Sequence, residues 1–349
     1  MTPTLHVNRR GMDQGNGRPT VQRRSFIKLG GAATVAAGAA ALGLPSAARA
    51  ADAFPAKPIR VLVGFSAGGV TDIVVRALAE SASNIFGQPI IVENKLGAGG
   101  VMPAYQLQTA APDGYTVGLI AHSVFRLPYI ANIKWNPVTD LDYVIRLTGF
   151  TWGLVVAADS PIKTFDDYVA YARQNPGKLT YGTVGSLTTQ HLTMEQISAS
   201  LGIQLSNIPY KGVAEALPAL MGGHIMSVAD ASSWVPYVTS GKMRLLVVWT
   251  EKRVPRFPDV PTLREVGIDM VQTSPWGLAA PKGTPPQVIA RLHDGFRQAM
   301  AQKPFQDALA NYDMEQQYLD GPAYRQFAQE SVEKENRILA SLNVPRGGQ

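Results

Sequence analysis

The sequence of 349 residues contains no cysteine. Disulfides, thiol nucleophiles, thiolate zinc sites and lipid attached to a cysteine are therefore excluded. A long hydrophobic run is also lacking: the apolar stretch at 29–44 is rich in Ala and Gly. It falls short of the ~20 strongly apolar residues that span a bilayer. No internal repeat or low-complexity segment is found beyond the first fifty residues, so the remaining chain has the composition of a folded domain.

The chain also lacks a basic surplus once its N-terminal segment is set aside. Residues 22–28 (QRRSFIK) resemble a twin-arginine export motif, and Ala48, Arg49 and Ala50 form an A-x-A cleavage site,. We predict that residues 1–50 are a twin-arginine signal peptide and that the protein is periplasmic. This segment holds seven of the 32 basic and one of the 26 acidic residues, which leaves 25 of each. A nucleic-acid partner or direct membrane insertion of the mature chain is therefore not expected.

Apolar runs of strand length alternate with amphipathic stretches of helix length after residue 54. This pattern is typical of α/β architecture with largely parallel sheets. Two similar strands that begin at Trp152 and Trp276 bracket the middle of the chain and are interpreted as paired crossings between two lobes. The predicted lobes are 54–152 plus 277–349, and 153–276. Residues 285–342 are predicted to be almost entirely helical.

The first strand runs into a glycine-rich turn, Gly64 to Gly69, and then into a helix. Such a turn directs backbone N–H groups and the positive end of a helix dipole at one point, which suits an anion. The same residues spell G-x-S-x-G, the nucleophile elbow of serine hydrolases. That alternative would use Ser66 with a pair such as Asp230 and His293. It lacks an earlier strand to supply the oxyanion loop, so an anion site or a plain turn is favoured.

Several polar residues have two interpretations each. Asp72 either complements the helix dipole or faces a ligand cleft. The hydroxyls that open a helix at Thr188 and Thr189 are either caps or ligand donors. Asp230 ends a strand, where ligands bind in open α/β sheets, and would receive an amine or hydroxyl or hold a hinge loop. His191 and Glu195, one helical turn apart, are interpreted as a surface pair rather than metal ligands.

The mature chain resembles the Bug family of extracytoplasmic solute receptors, which serve tripartite tricarboxylate transport systems. The order and spacing of short motifs carry the resemblance: PAKPIR at 55–60, FSAGG at 65–69 with Asp72, ENKLGAGG at 93–100, APDGYT at 111–116, PYKG at 209–212, GGHI at 222–225 with AD at 229–230, GKMR at 241–244 and PDVPT at 258–262. Gly64, in place of a usual proline, departs from the family pattern. So do the turn 184–187 and the bulky residues 125–127. These departures bear on ligand identity more than on fold.

The resemblance implies a type II periplasmic-binding fold, with two α/β lobes that close on a small carboxylate. The expected ligand is a di- or tricarboxylate, an acidic amino acid or an aromatic acid. We expect a monomeric receptor with no enzymatic activity, cofactor or metal, which serves transporter subunits or, alternatively, a sensor kinase. The expected ligand-binding residues are Phe65, Ser66, Ala67, Gly68, Gly69, Asp72, Ser123, Gly185, Ser186, Thr188, Thr189 and Asp230.

Overall fold

The computed structural model describes residues 54–347. The signal-peptide prediction for residues 1–50 lies outside the described residues. The described strands are β1 (Ile59–Val63), β2 (Ile90–Asn94), β3 (Thr116–Ile120), β4 (Leu141–Thr148), β5 (Trp152–Ala157), β6 (Thr180–Thr183), β7 (Ser206–Pro209), β8 (Ser227–Ala231), β9 (Met243–Val248), β10 (Trp276–Pro281) and β11 (Gln316–Asp320). The described α-helices are α1 (Val70–Phe86), α2 (Met102–Leu107), α3 (Leu127–Ile130), α4 (Phe165–Gln174), α5 (Thr189–Leu201), α6 (Val213–Met221), α7 (Val235–Thr239), α8 (Pro286–Met300), α9 (Lys303–Asn311) and α10 (Gly321–Ser341).

These elements form two mixed sheets, as the predicted α/β class requires. The first sheet has the order β11-β4-β10-β3-β1-β2, and the second has the order β7-β6-β8-β5-β9. In the first sheet β1 lies parallel to β2 and β3, and in the second sheet β6 lies parallel to β7 and β8. Each sheet is completed by antiparallel strands, β10 and β5 respectively. Within residues 54–347 no helix is both long and apolar enough to cross a bilayer.

The chain passes between the sheets just before the two strands that were predicted to be the crossings. β5 pairs only with strands of the second sheet, and β10 pairs only with strands of the first. The connections are therefore residues 149–151 and the segment that ends at 275. They meet at a backbone hydrogen bond of 2.6 Å from the Phe150 N–H to the Thr273 carbonyl. Both predicted strands exist, but each belongs wholly to one sheet.

The C-terminal region is not continuous helix. β11 interrupts it and pairs antiparallel with β4 at the edge of the first sheet. Its sequence, Gln-Gln-Tyr-Leu-Asp, has no clear alternation and is only partly buried. Strand formation here is decided by pairing with a partner about 170 residues away in the chain, a contact that local propensity does not report.

Helix α1 shows how local sequence sets the geometry next to the site. Gly69 precedes it in an extended conformation, and Gly87 ends it in the left-handed conformation that glycine adopts without strain,. Val74, Val75 and Leu78 are buried on one face. The helix packs on α8 and α9, so the C-terminal helices fix where its N-terminus points.

Candidate functional site

A cavity of about 540 Å³ lies between loops of the two sheets. In the first sheet, the lining loops follow β1, β2 and β3; in the second sheet, they follow β6, β7 and the end of β8. Within each sheet, these three strands run parallel to one another. Because parallel strands end at the same edge, the cavity is built from carboxyl-end loops of both sheets, the usual ligand position in open α/β structures.

Three helices begin at this cavity, and none of the three has a side-chain cap. Residues preceding or opening α1, α5 and α6 line the wall. Their N-cap residues, Gly69, Thr188 and Gly212, make no side-chain hydrogen bond to the first turn. The first backbone N–H groups of a helix have no partner within the helix. Together with three helix dipoles, they make the cavity a favourable place for negative charge.

The loops after β1 and β2 are packed tightly against each other. A Cβ on Gly64 would lie 2.3 Å from the carbonyl oxygen of Gly100, and a Cβ on Gly100 would lie 2.5 Å from the Phe65 ring. Gly100 also has a φ of 92°, a conformation that side-chain-bearing residues rarely adopt,. Glycine at position 64 is therefore required here by contact with the neighbouring turn.

Asp72 braces the first loop from behind and does not line the cavity. One carboxylate oxygen accepts the Gly68 N–H at 2.9 Å, and Arg76 and Asn94 donate to the same group. Burial alone would raise the pKa of Asp72, but these donors outweigh it and lower the pKa. The side chain is 3 % exposed, so its hydrogen bonds are with protein groups that hold the loop in place.

This bracing changes the expected anion clamp. The predicted donors were the N–H groups of residues 66–69, but the Gly68 N–H is used by Asp72 and the Gly69 N–H donates to the Ser66 carbonyl at 3.2 Å. Ala67 and Gly68 are exposed and, like Asp72, lie outside the lining. The donors left in this half are the predicted Ser66 N–H and the N–H groups of the first turn of α1, at Val70 and Thr71, which sequence reasoning missed,.

The second half of the wall comes from the turn before α5. Gly185, Ser186, Thr188 and Thr189 all line the cavity. The Thr188 hydroxyl donates to the Gly185 carbonyl at 2.8 Å, which closes the turn. Ser123, on the opposite wall, donates its hydroxyl to the Gly99 carbonyl at 2.7 Å. These two hydroxyl protons are engaged with protein. On the α5 side, the donors that remain include backbone N–H groups at the start of the helix and the Thr189 hydroxyl, which accepts from Arg126 and keeps its own proton,.

A buried ion pair connects the two walls. Arg126 and Glu335, both with side chains no more than 2 % exposed, are joined by hydrogen bonds of 2.9 and 3.1 Å. Arg126 also donates to the Leu187 carbonyl at 2.8 Å and to the Thr189 hydroxyl at 3.2 Å. The Nε2 atom of His122 lies 2.9 Å from Oε1 of Glu335. Burial would raise the pKa of Glu335, but Arg126 and His122 lower it to about 2.

Asp230 lines the cavity at the end of β8 and is 4 % exposed. Burial raises the pKa of its carboxyl to about 7. One of its oxygens, Oδ2, has no hydrogen-bond partner among the described residues. Trp152 is buried and stacks on Trp249 at a ring separation of 5.9 Å, and it also contributes to the wall.

Sequence reasoning also missed the loop after β7. Tyr210, Lys211 and Gly212 line the cavity. They belong to the PYKG motif, which carried the family resemblance but was given no role. Its position directly after a strand and before a helix is the same signal that identified the first loop. His122 and Gln190, also in the wall, were missed because each stands beside a residue chosen for its hydroxyl.

The residues of the alternative serine-hydrolase triad are not brought together. Ser66 and Asp230 both line the cavity, but His293 does not. The His293 ring contacts Asp294 at 2.9 Å and Tyr318 at 3.0 Å. A catalytic histidine must reach the nucleophile within hydrogen-bond distance, and the described geometry places this one elsewhere.

The two sheets, the cavity between their carboxyl-end loops and the uncapped helix starts define a two-lobed α/β ligand-binding protein. Residues 74–344 match the family model of the tripartite tricarboxylate transporter family receptor. The chain belongs to this family.

Named relatives agree with this assignment. A UPF0065 protein in the gbd 5′ region of Cupriavidus necator is 55 % identical over 93 % of this chain and 99 % of its own. The solved periplasmic binding protein BugD is 29 % identical, with a TM-score of 0.79 over 84 % of this chain and 99 % of its own. MatC of Rhodopseudomonas palustris, solved with bound malate, is 27 % identical, with a TM-score of 0.74 over 82 % and 100 %.

Proposed function

We propose that this chain is a periplasmic receptor that captures a small organic carboxylate and delivers it to a tripartite tricarboxylate transporter. The observation that carries the proposal is the convergence of three uncapped helix N-termini on one cavity. Family membership and the malate bound to a relative agree with it. The receptor binds its ligand without chemical conversion.

One carboxylate of the ligand rests on the N–H groups at the start of α1, beside Phe65, Ser66 and Gly69. The other end meets the start of α5 at Thr188 and Thr189, with Gly185, Ser186 and Ser123 completing the pocket. Recognition by backbone dipoles avoids the desolvation cost of burying an ion pair with the ligand. It also tolerates ligands of different shape, because N–H groups do not fix the carbon skeleton.

Ligand capture involves closure of two lobes, 54–152 plus 277–349 and 153–276. The hinge lies in the two connections that join the sheets, 149–151 and 249–275, where the Phe150 N–H meets the Thr273 carbonyl. Hinge closure needs only a few residues that absorb a change in φ and ψ. Export by the twin-arginine route, action as a monomer and contact with transporter subunits complete the proposal.

The test is calorimetric titration of the mature chain with di- and tricarboxylates, acidic amino acids and aromatic acids. The neutral diamides of the same diacids are the control ligands, because they have nearly the same shape as the acids but carry no negative charge. We expect one acid to bind with one-to-one stoichiometry and its diamide not to bind. Ser66→Tyr should fill the cavity and abolish binding, while Ser200→Tyr on the exposed end of α5 should leave it unchanged. Failure of every acid would refute the proposal.

A further inference from the structure

The buried acid of the cavity is a group that carboxylate binding does not use. Asp230 precedes the last residue of β8 and lines the cavity, yet it is 4 % exposed and its Oδ2 has no partner among residues 54–347. A buried acceptor without a donor is costly, and such groups in native structures call for an explanation. Since Asp230 lines the cavity, a donor on a bound ligand would provide such an explanation.

The cations near the cavity are committed elsewhere or lie on another loop. Arg126 gives its guanidinium to Glu335, Leu187 and Thr189, and His122 faces Glu335. Lys211 stands on the exposed loop before α6. Among the ion pairs within the described residues, none includes Asp230. The carboxyl therefore has no protein charge to compensate it.

We propose that Asp230 is the specificity-determining residue of the receptor, and that it selects acids whose carbon chain carries a hydrogen-bond donor, a hydroxyl or an ammonium group. This inference rests on the proposed function and narrows its substrate class. A ligand hydroxyl or ammonium satisfies the buried oxygen, whereas a plain diacid leaves it unpaired beside two further carboxylates. Sites built to hydrogen-bond a ligand group reject the analogue that lacks it, because the buried group is then orphaned.

Burial provides support, since it raises the pKa of Asp230 to about 7 although Ser233, the Ala231 N–H and Gln190 act to lower it. The carboxyl is thus unstable as an isolated anion and gains most from a donor brought by the ligand. One hydrogen bond to a charged group corresponds to roughly a 10- to 100-fold difference in affinity.

The test is calorimetry on matched ligand sets that differ only in the donor. The sets are succinate, malate and aspartate; glutarate, 2-hydroxyglutarate and glutamate; and tricarballylate and citrate. In the set that binds, we expect a member with the donor to bind at least about 10-fold more tightly than the plain acid. In Asp230→Leu, which removes the acceptor, this ratio should fall to about one. Asp230→Asn keeps a carbonyl acceptor at nearly the same size, so it should retain hydroxyl preference and lose ammonium preference.

Two controls separate the outcomes. Asp259→Asn removes the same charge from an exposed site and should leave the ratios unchanged. Thermal melts of the variants show whether each is folded, and Asp230→Asn supplies the result if Asp230→Leu is not. Equal binding of plain and substituted acids would overturn the role of Asp230 while the receptor function stands. Binding of no acid at all would overturn the proposed function and this inference with it.

Discussion

Removal of Arg126 should destabilise the protein strongly, because it leaves a buried carboxylate without its main partner. Glu335 is 2 % exposed and would keep only His122 within 2.9 Å. Breaking a buried pair from one side typically costs about 3–5 kcal/mol. The lowered pKa of Glu335 gives a similar figure: a change from 4.5 to about 2 corresponds to about 3 kcal/mol,. Arg126→Met should therefore lower the free energy of unfolding by about 3–5 kcal/mol.

Urea unfolding and thermal melts of the mature chain measure this effect. The matched control is Arg264→Met, which removes an arginine paired with Glu251 and Asp269, whose side chains are 70 % and 92 % exposed. Exposed pairs contribute about 0–1 kcal/mol, so the control should be nearly neutral. Arg126→Met combined with Glu335→Met should recover most of the loss, since an apolar pair replaces the ions. An Arg126→Met protein within about 1 kcal/mol of wild type would refute the reasoning.

The same contact has a pH dependence with a definite sign. The pKa of Glu335 is lowered in the folded chain, so its contribution is present above about pH 4.5 and is lost as the pH falls toward 2,. Acid unfolding of wild type should therefore be steeper in this range than that of the double variant. Equal acid sensitivity of the two proteins would contradict the pairing.

Three further perturbations test other parts of the site. Asp230→Asn should be more stable than wild type at pH 8, by up to about 4 kcal/mol, because the pKa of Asp230 is raised to about 7 and ionisation of the buried acid is unfavourable,; the difference should vanish near pH 4 in urea unfolding. Asp72→Asn should weaken ligand affinity in calorimetry, since the carboxylate that holds the Gly68 N–H and Arg76 is lost; unchanged affinity would show that the loop needs no brace. Gly64→Ala should lower stability by about 1–3 kcal/mol in melts, because its Cβ would lie 2.3 Å from the Gly100 carbonyl oxygen,; a neutral effect would mean that the loops move apart freely.

The fold class could be predicted from sequence because its signals are local. An apolar strand followed by a glycine turn and a helix, as at Gly64 to Gly69, occurs in three places in the chain. These strands belong to the parallel parts of the two sheets. The assignment of β10 to the first sheet and of β11 to its edge depends on pairing across more than one hundred residues. That information is absent from any short window, so β11 was missed and β10, although predicted as a strand, was interpreted as a crossing between the lobes.

Site residues could be predicted from sequence where a small or polar residue stands at or just after the end of a predicted strand. Asp230 and Ser66 were both chosen on that basis, and both line the cavity. Asp72 shows the limit: its place in the first helical turn is compatible with facing either the ligand or the preceding loop, and only the positions of Arg76 and Asn94 decide. Arg126 and Glu335 are 209 residues apart in the chain, and no local sequence pattern around either residue predicts their contact.

The central claim is that helix N-termini, rather than a cationic side chain, hold the carboxylates of the ligand. A crystal structure of the mature chain with the acid that binds most tightly in calorimetry tests this most directly. We expect carboxylate oxygens within about 3 Å of backbone N–H groups at the start of α1, at Val70 or Thr71, and at the start of α5. Carboxylates held instead by the Lys211 ammonium, or a ligand bound outside this cavity, would contradict it.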